Sequence, residues 1–320
     1  MRRRNFIATV GLSCTAPATV WAQSYPSRPI HIIVPFGAGS TTDLIGRSIG
    51  QAISADLGQQ VVIENRPGAG GTIGAAEVAR GAPDGYLLVL GTVASHAVAP
   101  SMMRGVRYDP IADFEPITLI ADAPGVLVVH RSIPASNLQE FVSYLKSHPG
   151  TDYASAGVGT TTHLSGEAFK LAAGVSMTHV PYKAVGQAIT DLLGGRIKVM
   201  FYQLPSVKPY IATGDLKLIA VTSPKRLSTL PEVPAIAETY PGFDFSAWFG
   251  MFAPANTPKP IIDRLYDAVT KAMKTPEVKR IMADQGLDPV GMPPDAFKSF
   301  LMIDIVKWKK IIAETNVKLE

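Results

Sequence analysis

The chain of 320 residues predicts an α/β fold in two domains, each a mostly parallel sheet flanked by helices, joined by a two-segment hinge. Three observations predict it. Apolar runs alternate with helical patterns along the chain, as βα units do. The run Gly39-Ser40-Thr41-Thr42-Asp43 returns 120 positions later as Gly159-Thr160-Thr161-Thr162-His163, each time after an expected strand and before an expected helix. Two segments, 100–124 and 241–260, are rich in Pro, Asp or aromatic residues and read as crossovers between domains.

The first 22 residues read as a leader. Met1-Arg2-Arg3-Arg4-Asn5 is a positive start, Phe6 to Val20 is mostly apolar, and Val20-Trp21-Ala22 has the small-x-small character of a signal-peptidase site. The apolar stretch is short and broken by Ser13, Thr15 and Pro17, which argues against a membrane anchor. Arg3-Arg4 leaves the twin-arginine route open beside the general one. Cys14 is the only cysteine, and Gly11, three places before it where a lipoprotein site carries Leu, makes it a poor lipidation site. Cleavage after Ala22 removes three arginines and no acid, so the net charge falls from +4 to +1. Such a chain has no electrostatic case for nucleic acid. It also keeps no cysteine for disulfides, thiol chemistry or thiolate metal sites. The remaining 298 residues suffice for two domains and contain no expected transmembrane stretch.

Strands are expected at Ile30–Pro35, Val61–Glu64, Tyr86–Gly91, Val126–His130, Asp152–Ala154, Met177–Val180, Lys198–Tyr202 and Leu216–Val221. The helix from Thr42 repeats Ile45, Ile49, Ile53 and Leu57 on one face and stops at Gly58. A second, Thr162 to Ala173, turns Leu164, Ala168 and Leu171 inward. Further helices are expected near Leu138–Lys146, Gln187–Leu193, Pro260–Lys274 and Asp295–Ala313. With the crossovers placed as above, the first domain is discontinuous: 23–122 plus 248–320, around a second domain of 123–247.

The repeated run carries the chemistry. A small-residue loop between strand and helix leaves backbone N–H groups free at the positive end of the helix dipole. Two such loops facing each other make a clamp for a small anion. Neither contains Arg or Lys, so the grip comes from N–H and hydroxyl donors, each worth about 1.5–3 kcal/mol when charge-assisted. Several together reach micromolar binding, about 8 kcal/mol. The candidate contacts are Phe36, Gly39, Ser40, Thr41, Thr42 and Asp43 from the first loop. From the second they are Ser155, Gly157, Gly159, Thr160, Thr161, Thr162 and His163. Thr41 and Thr42 serve as helix caps or as ligand contacts. Asp43 either favours its helix start or meets a ligand ammonium, and His163 either caps or lines the cleft. Phe36 stacks on a ligand or plugs the core. Ser95 and His96 follow a strand end, where α/β sites gather. Tyr182 lines the cleft, Lys183 is a surface or partner-facing charge, Arg47 pairs with an acid, and Trp248 packs at the hinge.

Several motifs together resemble the solute receptors of tripartite tricarboxylate transporters, the Bug-type periplasmic family. They are Tyr25-Pro26-Ser27-Arg28-Pro29-Ile30, Val34-Pro35-Phe36-Gly37-Ala38-Gly39-Ser40-Thr41-Thr42-Asp43 and Glu64-Asn65-Arg66-Pro67-Gly68-Ala69-Gly70-Gly71-Thr72-Ile73-Gly74. Ser155-Ala156-Gly157-Val158-Gly159, His163-Leu164, His179-Val180-Pro181-Tyr182-Lys183, Leu230-Pro231-Glu232-Val233-Pro234 and Trp248-Phe249-Gly250 continue the pattern in order over essentially the whole mature chain. The resemblance implies the two-domain type II periplasmic-binding-protein (Venus flytrap) fold. It implies an organic carboxylate held between the loops, often through waters, and inner-membrane transporter subunits as partners. A monomer in the periplasm without a cofactor is expected. Four positions depart from the pattern: Ser40 replaces a glycine, Gly46 an alanine, Ala184 a glycine, and Tyr202-Gln203 stand where an acidic residue often follows the strand. Tyr202 and an amide there suit a less cationic ligand with an aromatic or apolar body.

Catalysis finds little footing. The six histidines lack the spacing of a zinc helix, and no Gly-x-Ser-x-Gly elbow is present. Gly37-Ala38-Gly39 and Gly68-Ala69-Gly70 begin dinucleotide patterns that fail at Thr42 and Ile73. An exported enzyme acting on a carboxylate in the same cleft is the alternative, and a structural or adhesive surface protein is a third possibility.

Overall fold

The computed structural model describes residues 25–103, 105–182, 185–227 and 230–315. The expected leader, Lys183 and Ala184 lie outside the described residues.

Among the described residues eleven strands form two sheets. The first sheet contains β1 (Ile30–Val34), β2 (Val61–Asn65), β3 (Leu87–Thr92), β4 (Phe114–Ala123), β10 (Ala247–Pro254) and β11 (Asp288–Met292), in the order β11-β4-β10-β3-β1-β2. The second contains β5 (Gly125–His130), β6 (Thr151–Ser155), β7 (Met177–Pro181), β8 (Val199–Gln203) and β9 (Leu216–Val221), in the order β7-β6-β8-β5-β9. Both sheets are mixed rather than mostly parallel. β1 runs parallel to β2 and β3, and β6 to β7 and β8, while β4, β10, β11, β5 and β9 pair antiparallel. Of the antiparallel strands, β4, β5, β9 and β10 are those where the chain passes from one sheet to the other and back, and β11 is an edge strand on β4.

The passages differ from the expected crossovers. Segments 100–124 and 241–260 hold β4 and β10, of 10 and 8 residues, the two longest strands. Pro116 hides β4 in the sequence. It faces Phe252 beside a register irregularity of the β4–β10 pair, where a missing N–H breaks little of the ladder. β4 ends at Ala123 and β5 begins at Gly125, so the first passage takes two peptide bonds. The second runs through Phe245 into β10. One side chain joins them: Thr222 Oγ1 accepts from the Gly125 N–H at 3.1 Å and donates to the Phe245 carbonyl at 3.2 Å.

Helices cover the sheets. α1 (Thr41–Leu57) lays Ile45, Ile49 and Ile53 on Ile30, Ile32, Leu88 and Leu90, and α8 (Lys259–Ala272) adds Leu265 and Val269. The chain closes α1 with Gly58 at φ 65°, the left-handed cap that glycine adopts without strain. The remaining helices are α2 (Thr72–Ala79), α3 (Ala99–Met102), α4 (Leu138–Ser147), α5 (Thr161–Ala173), α6 (Val185–Leu193), α7 (Leu204–Ala212), α9 (Pro276–Asp284) and α10 (Pro294–Thr315). A π-helical turn, Ala94–Val98, precedes α3. The long α10 packs on β4 and reaches α5 on the second sheet. Its buried Asp304 accepts from Trp248 Nε1 at 2.8 Å, Trp308 Nε1 at 3.0 Å and Lys307 Nζ at 2.7 Å, which ties the returning strand to the helix.

Candidate functional site

The two repeated loops have the same backbone. Gly39 and Gly159 take φ 79° and 75°, a region open to glycine at no steric cost. Ser40 and Thr160 follow with φ/ψ of −69°/159° and −74°/159° and cap α1 and α5. Ser40 Oγ accepts from the Asp43 N–H at 3.2 Å, and Thr160 Oγ1 from the His163 N–H at 3.3 Å. In return the third helical residue reaches back: Asp43 Oδ2 accepts from the Gly39 N–H at 2.9 Å, and His163 Nδ1 from the Gly159 N–H at 3.1 Å. Each loop is therefore a closed reciprocal cap. The N–H groups of Thr41, Thr42, Thr161 and Thr162 sit in first turns, where no intrahelical carbonyl reaches them.

Both helix starts open on one cavity of about 480 Å³. Phe36, Gly39, Ser40, Thr41, Thr42, Thr160, Thr161, Thr162 and Tyr202 line it. The other sequence candidates stand behind the wall. Asp43 is buried, and it also accepts from Arg47 Nε at 3.0 Å and Asn65 Nδ2 at 2.9 Å. Burial alone would raise its pKa. The bonds from Arg47, the Gly39 N–H and Asn65 outweigh that and hold it below the usual carboxylate range. The Gly157 carbonyl accepts from Thr160 Oγ1 at 2.7 Å, and Ser155 Oγ lies 2.6 Å from His179 Nε2. His163 stacks on His179 with ring centroids 3.8 Å apart. Burial, then the neighbouring His179, pushes its pKa down to about 4, so it accepts as a neutral ring at pH 7. The Tyr182 hydroxyl is drawn away to Asp191 at 2.9 Å.

Ser95 also lies behind the wall, and its role there uncovers a helix start that the sequence reading did not include. Thr92, at the end of β3, donates its N–H to Ser95 Oγ at 3.0 Å, and its Oγ1 accepts from the Ser95 N–H at 3.4 Å. This is a third reciprocal cap, and Thr92, Val93 and Ala94 line the cavity. The Thr-x-x-Ser spacing after a strand was the available signal. His96, next along, is wholly buried and stacked on Phe252 at 4.2 Å, and burial takes its pKa down to about 3. Gly91 makes room for that ring, since a Cβ there would lie 2.5 Å from His96 Cε1.

The far wall comes from distant chain. Trp248, Phe249, Gln285 and Leu287 line it together with Gln203 beside Tyr202. Gln285 Oε1 accepts from Thr41 Oγ1 at 2.9 Å, a bond between residues 244 positions apart. No lining side chain carries a charge. Among the described residues no cluster of three His, Cys, Asp or Glu side chains is placed to hold a metal, and no helix is long and apolar enough to cross a membrane.

Chains of known kind share this arrangement. The profile of the tripartite tricarboxylate transporter family receptor matches residues 45–317. BugT of Bordetella pertussis is 36% identical over 318 residues, covering 98% of this chain and 96% of the relative. The structure of periplasmic binding protein BugD superposes with a TM-score of 0.76 at 35% identity, over 92% of this chain and 100% of that one. The R. palustris protein Rpa4515, solved with adipate, superposes with a TM-score of 0.79 at 34% identity, over 92% of this chain and 99% of that one. The two helix-flanked mixed sheets are the two-domain α/β fold of periplasmic binding proteins. The chain belongs to the family of tripartite tricarboxylate transporter receptors.

Proposed function

We propose that this receptor captures a small organic carboxylate between two lobes in the periplasm and delivers it, unchanged, to membrane transporter subunits. One observation carries the reading: congruent helix starts from different sheets, Ser40-Thr41-Thr42 and Thr160-Thr161-Thr162, open on a single cavity. Their first-turn N–H groups and hydroxyls suit a carboxylate, and the facing dipoles add attraction. That a related R. palustris receptor was solved with adipate supports the carboxylate class.

The lobes are taken as 23–122 plus 248–320, and 123–247, after removal of residues 1–22 as a leader. The ligand docks on one lobe, the passages at Ala123–Gly125 and Phe245–Ala247 flex, and the second helix start closes over it. Closure excludes water and strengthens each hydrogen bond. The working form is a monomer without a cofactor.

The test is a thermal-shift screen of mono-, di- and tricarboxylates, with mass analysis of each ligand after incubation. A ligand at 100 times its dissociation constant stabilises by about 2.7 kcal/mol. Ser40→Tyr and Thr160→Tyr should each abolish the shift while the ligand-free protein still melts cooperatively. Unchanged shifts in both variants would remove these loops from the site, and a chemically altered ligand would make the protein an enzyme.

A further inference from the structure

The cavity wall constrains the rest of the ligand, given the carboxylate reading above on which this inference rests. Of the twenty residues that line the cavity, none is Asp, Glu, Lys, Arg or His. The two residues that close the loops, Asp43 and His163, do not line the cavity and are spent on the glycine N–H groups behind it. A ligand ammonium would enter this cleft with no counter-charge, and an unpaired charge out of water is costly. A second carboxylate fares little better. With no Lys, Arg or His on the wall, a second carboxylate finds no counter-charge beyond the helix starts that already hold the first, while the rest of the wall offers neutral polar groups and apolar faces.

The polar groups left on the wall are neutral. Among the described residues nothing bonds the Tyr202 hydroxyl or the Gln203 amide, and Gln285 uses only its Oε1, on Thr41. The remaining large faces are Phe36, Trp248, Phe249 and Leu287. A cavity of about 480 Å³ has room for a ring beside the carboxylate.

We propose that the ligand is a monocarboxylate with an uncharged aromatic body bearing a hydroxyl or carbonyl, gripped by the helix starts at its acid end and by Tyr202, Gln203 and Gln285 at its neutral polar group. Stacking and edge contacts with the aromatic wall favour the ring over an open chain of equal size.

Calorimetry of the full chain against 4-hydroxybenzoate, benzoate, hexanoate, adipate, malate and aspartate tests this. The expected result is 4-hydroxybenzoate at least tenfold tighter than adipate, malate, aspartate and hexanoate, with benzoate weaker than its hydroxylated form. The double variant Tyr202→Phe/Gln203→Leu should narrow the gap between 4-hydroxybenzoate and benzoate to under threefold. Adipate, malate or aspartate binding as tightly as the aromatic acids overturns the inference and leaves the carboxylate reading standing. Hexanoate binding as tightly as benzoate removes the aromatic requirement, and a gap unmoved in the double variant removes the assigned polar contacts. No binding by any of the six acids, nor by the wider carboxylate screen, overturns both.

Discussion

The loops at Gly39–Asp43 and Gly159–His163 are the same backbone finished with different chemistry. In one, the residue that reaches back to the glycine N–H is a buried carboxylate held by Arg47 and Asn65. In the other it is a neutral imidazole stacked on His179. The geometry therefore asks for an acceptor at that place, not for a charge. An acid and an uncharged ring satisfy it equally well, provided each is backed by its own neighbours. Neither lines the cavity, so what both sides offer a ligand directly is backbone N–H and hydroxyl, even though the supports behind them differ.

The supports can be broken separately. Asp43→Ala strips the acceptor from the Gly39 N–H, Arg47 and Asn65 together. It should cost about 3 kcal/mol of stability in urea melts, the range for breaking a buried, bonded charge, discounted because Arg47 is half exposed. A loss under 1 kcal/mol would show that the loop holds its shape without the carboxylate. Acid should distinguish the two sides next. His163 titrates near 6.5 when unfolded and is pushed down to about 4 when folded. As pH falls from 6.5 to 4 the unfolded chain binds a proton that the folded one refuses, and stability drops by about 3 kcal/mol at most. The neighbours that set this are His179 and Lys170, which oppose the imidazolium, and Glu167, whose Oε1 lies 4.0 Å from Nε2 and favours it. Buried His96 and half-buried His179 lose stability in the same direction, so the contribution of His163 is the slope that His163→Asn removes. Asp43 behaves oppositely in range: its pKa is depressed, so its stabilisation is intact above the ordinary carboxylate pKa of about 3.9 and fades only below it. A stability profile flat from pH 6.5 to 4 in the unmodified protein would contradict the assigned neutral ring. The smallest effects belong to the caps themselves. Ser40→Ala should cost about 1 kcal/mol, the loss of one bond to the third helical N–H, and Thr160→Ala should cost more, because Thr160 Oγ1 also bonds the Gly157 carbonyl and Thr162 Oγ1.

The sequence made the repeated loops legible because small residues between a strand and a helix have few other uses, and the spacing of Ile45, Ile49 and Ile53 located the first helix to within a residue of its observed start. Parts of the site escaped for identifiable reasons. Pro116 and Glu115 make β4 look like a linker, and the strand is recovered only by its partners β10 and β11, more than a hundred residues away. Thr92 begins a helix whose first turn is π-helical, and the apolar Val93 and Ala94 between Thr92 and Ser95 make the Thr-x-x-Ser spacing read as a continuation of the strand. Gln285 and Leu287 reach the cavity only through tertiary folding, which spacing along the chain cannot encode. Tyr182 is the converse case: its position after a strand suits a cleft, but its hydroxyl donates to Asp191 and it does not line the cavity.

The Thr222 hydroxyl has a mechanical consequence. Since it holds Gly125 and Phe245 at once, neither strand can twist at that level without dragging the other. All three residues sit beside the second sheet, so both passages leave it from one fixed point, and the first sheet can turn about that point without either attachment being drawn out.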